Sequence, residues 1–160
     1  MTAVYYLAAL LLAAADQITK LLTRTYLAGG ERVTLIPGVL GLTYVENTGM
    51  AFSAFSGYTA VLAVVSLVAS VAIVLAIWKR WLPHPFCQWM LTLLLAGAVG
   101  NLIDRALFGY VTDMIEVLFV NFAVFNLADC CVVVGAFGLM GYLVRELWLE
   151  ERRAGGKKGA

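Results

Sequence analysis

The chain has 160 residues, of which 62% are hydrophobic and 13% are charged, and its mean hydropathy is +0.90. A water-soluble domain of this size is nearer half apolar and a quarter charged, so the excess of apolar residues indicates an integral membrane protein. The formal net charge of +1 leaves no dominant basic face, which argues against nucleic acid as a partner.

Four stretches are long and apolar enough to cross a bilayer, which takes about 20 residues in a helix. The predicted helices span about 4–22, 58–78, 86–103 and 127–144. The predicted fold class is therefore an all-α membrane protein built on a four-transmembrane-helix bundle. Residues 1–148 are predicted to form one membrane domain. The charged, then Gly-rich segment 149–160 is predicted to be a cytoplasmic tail, a frayed helix end followed by disorder.

The first predicted helix contains two charged residues on one face, Asp16 and Lys20. An ion pair between residues four apart lowers the cost of placing both in lipid. The pair is either structural, with Lys20 reaching toward the headgroups, or part of a substrate-binding site. The sequence leaves both interpretations open.

The segment 23–57 between the first two helices is too long for a simple connector. Arg32–Ile36 and Leu42–Val45 are rich in β-branched and aromatic residues and are separated by turn residues, which predicts two short strands. Asn47 and Gly49 follow, and they either let a ligand approach the backbone closely or simply form a turn before the next helix.

The third predicted helix carries small and polar residues near its end. Gly97 and Gly100 permit close packing of another membrane helix. Asn101 and Arg105 lie on one face, where Arg105 is either an interfacial anchor or a cation that holds a carbonyl or carboxylate. Asp104 precedes Arg105 and is expected to point in a different direction.

Asp113 and Asp129 flank the connection between the last two predicted helices. Carboxylates near a bilayer are energetically costly and therefore indicate functional sites. Two carboxylates that share a proton form the catalytic pair of an aspartic protease. The alternative is a solvated loop carboxylate and an ordinary acid at a helix N-terminus. In a dyad, Asn126 is expected to orient one aspartate by hydrogen bonding.

The basic residues predict the orientation in the membrane, because Lys and Arg favour the cytoplasmic side. Seven of the eleven follow the second and fourth helices: Lys79, Arg80, Arg145, Arg152, Arg153, Lys157 and Lys158. Both termini are therefore predicted to be cytoplasmic and segments 23–57 and 104–126 to be extracytoplasmic. This topology places Asp113 and Asp129 at the same depth near the outer leaflet.

Five polar motifs occur in a fixed order along the chain. They are Asp16-Gln17-Ile18-Thr19-Lys20, Asn47-Thr48-Gly49-Met50-Ala51-Phe52, Gly100-Asn101-Leu102-Ile103-Asp104-Arg105, Val111-Thr112-Asp113 and Phe125-Asn126-Leu127-Ala128-Asp129. Together with four predicted helices, they resemble the bacterial lipoprotein signal peptidases, also called signal peptidase II. The resemblance implies four transmembrane helices with a small extracytoplasmic β-cradle, in the bacterial cytoplasmic membrane.

The resemblance also implies an activity: an aspartic endopeptidase that removes the signal peptide from prolipoproteins, cleaving before a cysteine that carries diacylglycerol. It implies no metal or organic cofactor, and we expect a monomer whose partners are this substrate and membrane lipid. The implied catalytic pair is Asp113 and Asp129. The implied supporting residues are Asp16, Lys20, Asn47, Gly49, Asn101, Arg105, Asn126 and Ala128. Thr112 stands where many relatives have an apolar residue and can add a local hydrogen bond.

Two other functions compete with proteolysis. A metal-dependent membrane phosphotransferase would use Asp16, Asp104, Asp113 and Asp129 as oxygen ligands. However, such an enzyme would need several aspartates close together on one helix, and this sequence has no such motif. A small transporter or channel would spread its charges through the membrane depth, whereas here they gather at one end. Proteolysis is favoured over both.

Overall fold

The computed structural model describes residues 2–49 and 58–156 of the chain, which form four long helices and a small sheet. The helices are α1 (Thr2–Tyr26), α2 (Thr59–Lys79), α3 (Pro85–Phe108) and α4 (Leu127–Gly156), and the strands are β1 (Val33–Ile36), β2 (Leu40–Asn47) and β3 (Val111–Val117). Each of these helices is long and apolar enough to cross a membrane. The predicted fold class, a four-helix membrane bundle with a small β element, is confirmed.

The helices run farther than the apolar stretches that predicted them. α1 continues to Tyr26 and α3 to Phe108, because helical hydrogen bonding does not stop where the bilayer core ends. α4 continues to Gly156, so the charged segment after residue 148 is helical as far as residue 156. Its Leu, Glu, Arg and Ala residues are strong helix formers. Residues 157–160 lie outside the described residues.

The three strands form an antiparallel sheet in the order β1-β2-β3. β1 and β2 are the two predicted strands, joined by a hairpin in which Gly38 adopts a positive φ of 70°. β3 was not predicted, because its polar residues weaken the strand pattern and its formation depends on pairing with β2 far away in sequence. That pairing sets Asp113 opposite Val45.

α3 is the central helix and packs against each of the other three. Its approach to α4 depends on Gly97, where an added Cβ would collide with the backbone carbonyl of Ala128. At Gly100 an added Cβ would lie 2.6 Å from Asp16 Oδ2. The close packing predicted from the two glycines is therefore present, and it brings α1 and the start of α4 together beside α3.

Candidate active site

The structure places Asp113 on β3 and Asp129 in the first turn of α4, with Asn126 between them. The Asn126 side chain donates from Nδ2 to Asp113 Oδ1 at 2.6 Å, which is the orienting hydrogen bond expected from the sequence. Its Oδ1 accepts from the backbone N of Asp129 at 2.9 Å, and its own backbone N donates to Asp129 Oδ2 at 3.3 Å. A single asparagine therefore contacts both aspartates.

The reciprocal bonds between Asn126 and Asp129 form a capping box at the start of α4. Asp129 is thus also a helix N-terminal acid, as the alternative interpretation held. The two interpretations do not exclude each other, since the cap uses one carboxylate oxygen. The helix start itself fixes the orientation in which Asp129 presents its carboxylate.

The remaining carboxylate oxygens accept hydrogen bonds from two further amides. Asn47, at the end of β2, donates to Asp113 Oδ2 at 2.9 Å, and Asn101 on α3 donates to Asp129 Oδ1 at 2.8 Å. All four oxygens of the two aspartates are therefore contacted by neutral N–H donors. Such donors fix orientation without a direct ion pair, which would hold a carboxylate permanently ionised.

Asp113 is only 1% exposed, and this burial raises the pKa of its carboxyl group to about 6. The hydrogen bond from Asn47 lowers the pKa and the negative charge of Asp129 raises it, but burial is the largest cause. A carboxyl group with this pKa exchanges its proton at pH values near neutral, as a general acid or base must.

Lys20 is fully buried, so it does not reach toward the headgroups, although the expected ion pair with Asp16 is present. Its ammonium lies 2.9 Å from Asp16 Oδ2 and donates to Asn101 Oδ1, also at 2.9 Å. Because the Asn101 oxygen faces Lys20, its NH₂ group faces Asp129. The charged pair on α1 thereby fixes an amide that contacts the dyad.

Asp16 reaches the same region from the other side. Its Oδ1 accepts from the backbone N of Ala128 at 2.9 Å, one residue before Asp129. Ala128 is 1% exposed, and its small side chain lies in the contact between α4 and Gly100. The position of the first turn of α4 is thus fixed by a carboxylate of α1.

Arg105 lies at the outer edge of this cluster. Its Nη2 donates to the backbone carbonyl of Gly49 at 3.1 Å, and the backbone N of Gly49 donates to Asn47 Oδ1 at 2.9 Å. Arg105 therefore holds a backbone carbonyl, one of the two partners expected for it. Met50, Ala51 and Phe52, which complete the motif quoted above, lie outside the described residues.

Sequence reasoning missed part of the cluster. Asp104 is fully buried, lies 3.4 Å from Lys20 Nζ and accepts from the backbone N of Thr112 at 2.8 Å. Arg24 donates to Thr112 Oγ1 at 2.8 Å, which is the local hydrogen bond expected of that threonine. A sequence signal for Arg24 existed, because Asp16, Lys20 and Arg24 follow one another at four-residue spacing on one helix face.

The four aspartates of the phosphotransferase hypothesis are not arranged as a metal site. Asp16 and Asp104 direct their oxygens to Lys20, Gln17 and backbone N–H groups. Among residues 2–49 and 58–156, no group of three or more His, Cys, Asp or Glu side chains is placed to share a cation. The geometry gives that hypothesis no support.

Comparison with known proteins gives a consistent result. A family model described as signal peptidase (SPase) II matches residues 8–145. The lipoprotein signal peptidase of Enterococcus faecalis is 39% identical over 157 residues, which cover 98% of this chain and 95% of the relative. The lipoprotein signal peptidase of Streptococcus pyogenes serotype M5 is 38% identical over 155 residues, covering 92% and 94%.

Two solved structures, both described as bacterial membrane enzymes, have a similar fold. One superposes with a TM-score of 0.83 at 30% sequence identity and covers 91% of this chain and 90% of its own. The other has a TM-score of 0.79 at 31% identity and covers 88% and 92%.

Proposed function

The chain belongs to the signal peptidase II family, and we propose that Asp113 and Asp129 are the catalytic dyad with which it cleaves. Membership makes the chain a multi-pass membrane protease that removes lipoprotein signal peptides. The observation that supports the dyad is Asn126, whose side chain donates to the Asp113 carboxylate and whose backbone N donates to the Asp129 carboxylate at the meeting point of β3 and α4.

The chemistry follows from two carboxyl groups that hold one proton between them. The ionised aspartate takes a proton from a water molecule, whose oxygen attacks the scissile carbonyl carbon. The protonated aspartate donates to the carbonyl oxygen, which gives a gem-diol intermediate. This intermediate collapses as the amide nitrogen accepts the proton that came from water and leaves, and one gem-diol hydroxyl returns its proton to the aspartate that had donated, so the pair again holds one proton. Two like charges close together do not both ionise readily, so the pair keeps its single proton over a range of pH.

The supporting residues act in three groups. Asn47, Asn101 and Asn126 orient the carboxylates through the hydrogen bonds described above. Asp16, Lys20 and Ala128 fix the first turn of α4 and the amide of Asn101. Gly49 and Arg105 hold the chain that leaves β2 against the outer end of α3.

The substrate is a prolipoprotein whose cysteine carries diacylglycerol, cleaved on the N-terminal side of that cysteine. The signal peptide reaches the site sideways through lipid, and its acyl chains lie against apolar helix faces. The active site lies near the extracytoplasmic face, with both termini in the cytoplasm. The enzyme acts as a monomer in the bacterial cytoplasmic membrane. The distribution of Lys and Arg supports this orientation.

The deciding experiment uses the purified full-length chain in detergent with a diacylglyceryl-modified prolipoprotein. We expect Asp113→Asn and Asp129→Asn each to lower the cleavage rate by about a thousandfold while thermal unfolding shows a retained fold. Glu116→Gln is the matched control, since Glu116 lies on the same strand, pairs with Arg32 and should leave cleavage unchanged. A metal chelator should have no effect. Full activity in either aspartate variant contradicts the dyad.

A further inference from the structure

Thr112, the residue before Asp113, is held at two points. Its backbone N donates to Asp104 Oδ2 at 2.8 Å, and its Oγ1 accepts from Arg24 Nη1 at 2.8 Å. Thr112 is fully buried. Successive side chains of a strand point to opposite faces, so the contact between Arg24 and the Thr112 side chain acts on the side of β3 away from the Asp113 carboxylate.

Both groups that hold Thr112 are themselves fixed. The Arg24 guanidinium lies 3.6 Å from Asp104 Oδ1 and 4.4 Å from the centre of the Phe108 ring. Asp104 also contacts Lys20, with 3.4 Å between Oδ2 and Nζ. The contacts therefore join the ends of α1 and α3 to the first residues of β3. We refer to Arg24, Asp104 and Thr112 as the strand clamp.

The pairing of β3 with β2 does not by itself fix the position of Asp113. The pairing of β2 with β3 is irregular between Leu42 and Val45, just beside the Val45–Asp113 pair. On the other side of Asp113, the backbone N atoms of Met114 and Ile115 both donate to the carbonyl of Phe125, at 3.0 Å and 2.8 Å. With the strand clamp before it and Phe125 after it, Asp113 lies between two fixed points.

We infer that the strand clamp positions Asp113 beside Asp129 before substrate arrives, so that Arg24, Asp104 and Thr112 are positioning residues for the reaction. This inference rests on the proposed catalytic role of Asp113. Because a misplacement of about 1 Å can cost about a hundredfold in rate, loss of the clamp lowers kcat and leaves substrate binding largely intact.

The test begins with Thr112→Val in the full-length protein, which removes the Oγ1 acceptor and keeps the side-chain shape and the backbone N–H. We expect kcat to fall about tenfold or more with KM within about twofold. Thr112→Ser restores the acceptor and should restore kcat. Thr25→Val is the matched control, because the Thr25 hydroxyl donates to Leu21 of its own helix and kcat should not change.

A double-mutant cycle identifies the partner. Arg24→Met should lower kcat at least as much as Thr112→Val, because it also removes the ion pair with Asp104, and the double variant should lose no more than Arg24→Met alone, since Thr112→Val removes a contact that Arg24→Met already lacks. If Thr112→Val does not fold, Arg24→Met gives the same kinetic test. If neither variant can be isolated folded, the contact is structural and the positioning role is rejected.

Three other results overturn the inference: an unchanged kcat in Thr112→Val, a loss that appears only in KM, or losses that multiply in the double variant. Failure of the proposed function is distinguishable, because it appears as activity in Asp113→Asn. If removing the strand clamp had no kinetic effect, the proposed catalytic role of Asp113 and Asp129 would still stand.

Discussion

At the scale of single residues, the site is defined by neutral donors around two acids. Asp113 and Asp129 receive their hydrogen bonds from asparagines and backbone N–H groups. The proximity of Asp113 and Asp129 and the contact with Asn126 could be predicted from the sequence, because the distribution of Lys and Arg predicts that both acids lie at one membrane depth. The strand clamp could not, since four-residue spacing relates residues on one helix and says nothing about contacts from α1 to β3.

The raised pKa of Asp113 predicts a pH dependence. A pKa of about 6 keeps the carboxyl protonated up to that pH, so the dyad loses its proton above it and kcat/KM falls about tenfold per pH unit. Substrate excludes more water and raises the pKa further, so the alkaline limb of kcat should lie at higher pH than that of kcat/KM. The measurement is a pH–rate profile of prolipoprotein cleavage.

The Asn47→Ala variant tests whether the pKa of Asp113 causes this pH dependence. The Asn47 hydrogen bond lowers the pKa of Asp113, whereas the negative charge of Asp129 raises it and the positive charge of Lys20 lowers it. Removing the Asn47 bond alone should therefore move the alkaline limb to higher pH. A profile that is flat from acid to alkaline pH, or a limb that moves to lower pH in Asn47→Ala, contradicts this assignment.

At the scale of elements, the four helices were predictable because each contains an apolar run that spans a bilayer. Their ends were not, because α3 and α4 continue past their apolar runs into segments that contain charged residues. β3 was missed for a different reason. Its polar strand pattern is weak alone, and its pairing with β2 joins residues such as Asn47 and Val111 that are distant in sequence.

The contact between α3 and α4 makes a prediction at the scale of elements. In Gly97→Ala the new methyl group meets the backbone carbonyl of Ala128, which cannot rotate away, and Val132 Cγ2 at 2.6 Å. α4 must then shift, and Asp129 shifts with its first turn. We expect a destabilisation of about 1–3 kcal/mol and cleavage reduced about tenfold. Thermal unfolding in detergent and the cleavage assay measure both.

Gly141→Ala is the control for this helix contact. Gly141 lies on α4 where an added Cβ meets no atom of the described residues within 4 Å. Alanine favours helix over glycine, so this variant should keep its activity and unfold at the same or a higher temperature. Equal behaviour of the two variants would show that the close approach at Gly97 does not matter.

At the scale of the whole molecule, the dyad depends on parts of the chain that meet only in the assembled bundle. α1 supplies Asp16 and Lys20, α3 supplies Asn101, β2 supplies Asn47, and β3 and α4 carry the two acids. The number of spans was predictable from composition, and the orientation follows from the basic residues. The orientation stays a prediction that a labelling experiment can test.

Cysteine labelling in intact cells tests the orientation. Glu31→Cys lies between α1 and β1, and Arg153→Cys lies near the end of α4, and both positions are exposed. A membrane-impermeant maleimide that reaches the outer face should label Glu31→Cys directly and Arg153→Cys only after the membrane is permeabilised. The unsubstituted chain is the control for its own cysteines, of which Cys87 and Cys131 are buried. The reverse pattern would place the active site on the cytoplasmic side.

The buried charges near the dyad balance one another. Asp16 and Asp104 balance Lys20 and Arg24, all joined by ion pairs. Arg105 interacts electrostatically with both proposed catalytic acids, which carry one negative charge together when they share a proton. The whole cluster of seven charged side chains, Asp16, Lys20, Arg24, Asp104, Arg105, Asp113 and Asp129, is then neutral.

Gain or loss of a proton would leave net charge in a region of low dielectric constant, which is costly. The single-proton form is therefore the form that the surrounding charges favour. Each round of hydrolysis takes one proton from water and returns one to the leaving amine, so the cluster ends the reaction with the charge it had at the start. Turnover then needs no counter-ion to enter or leave the cluster.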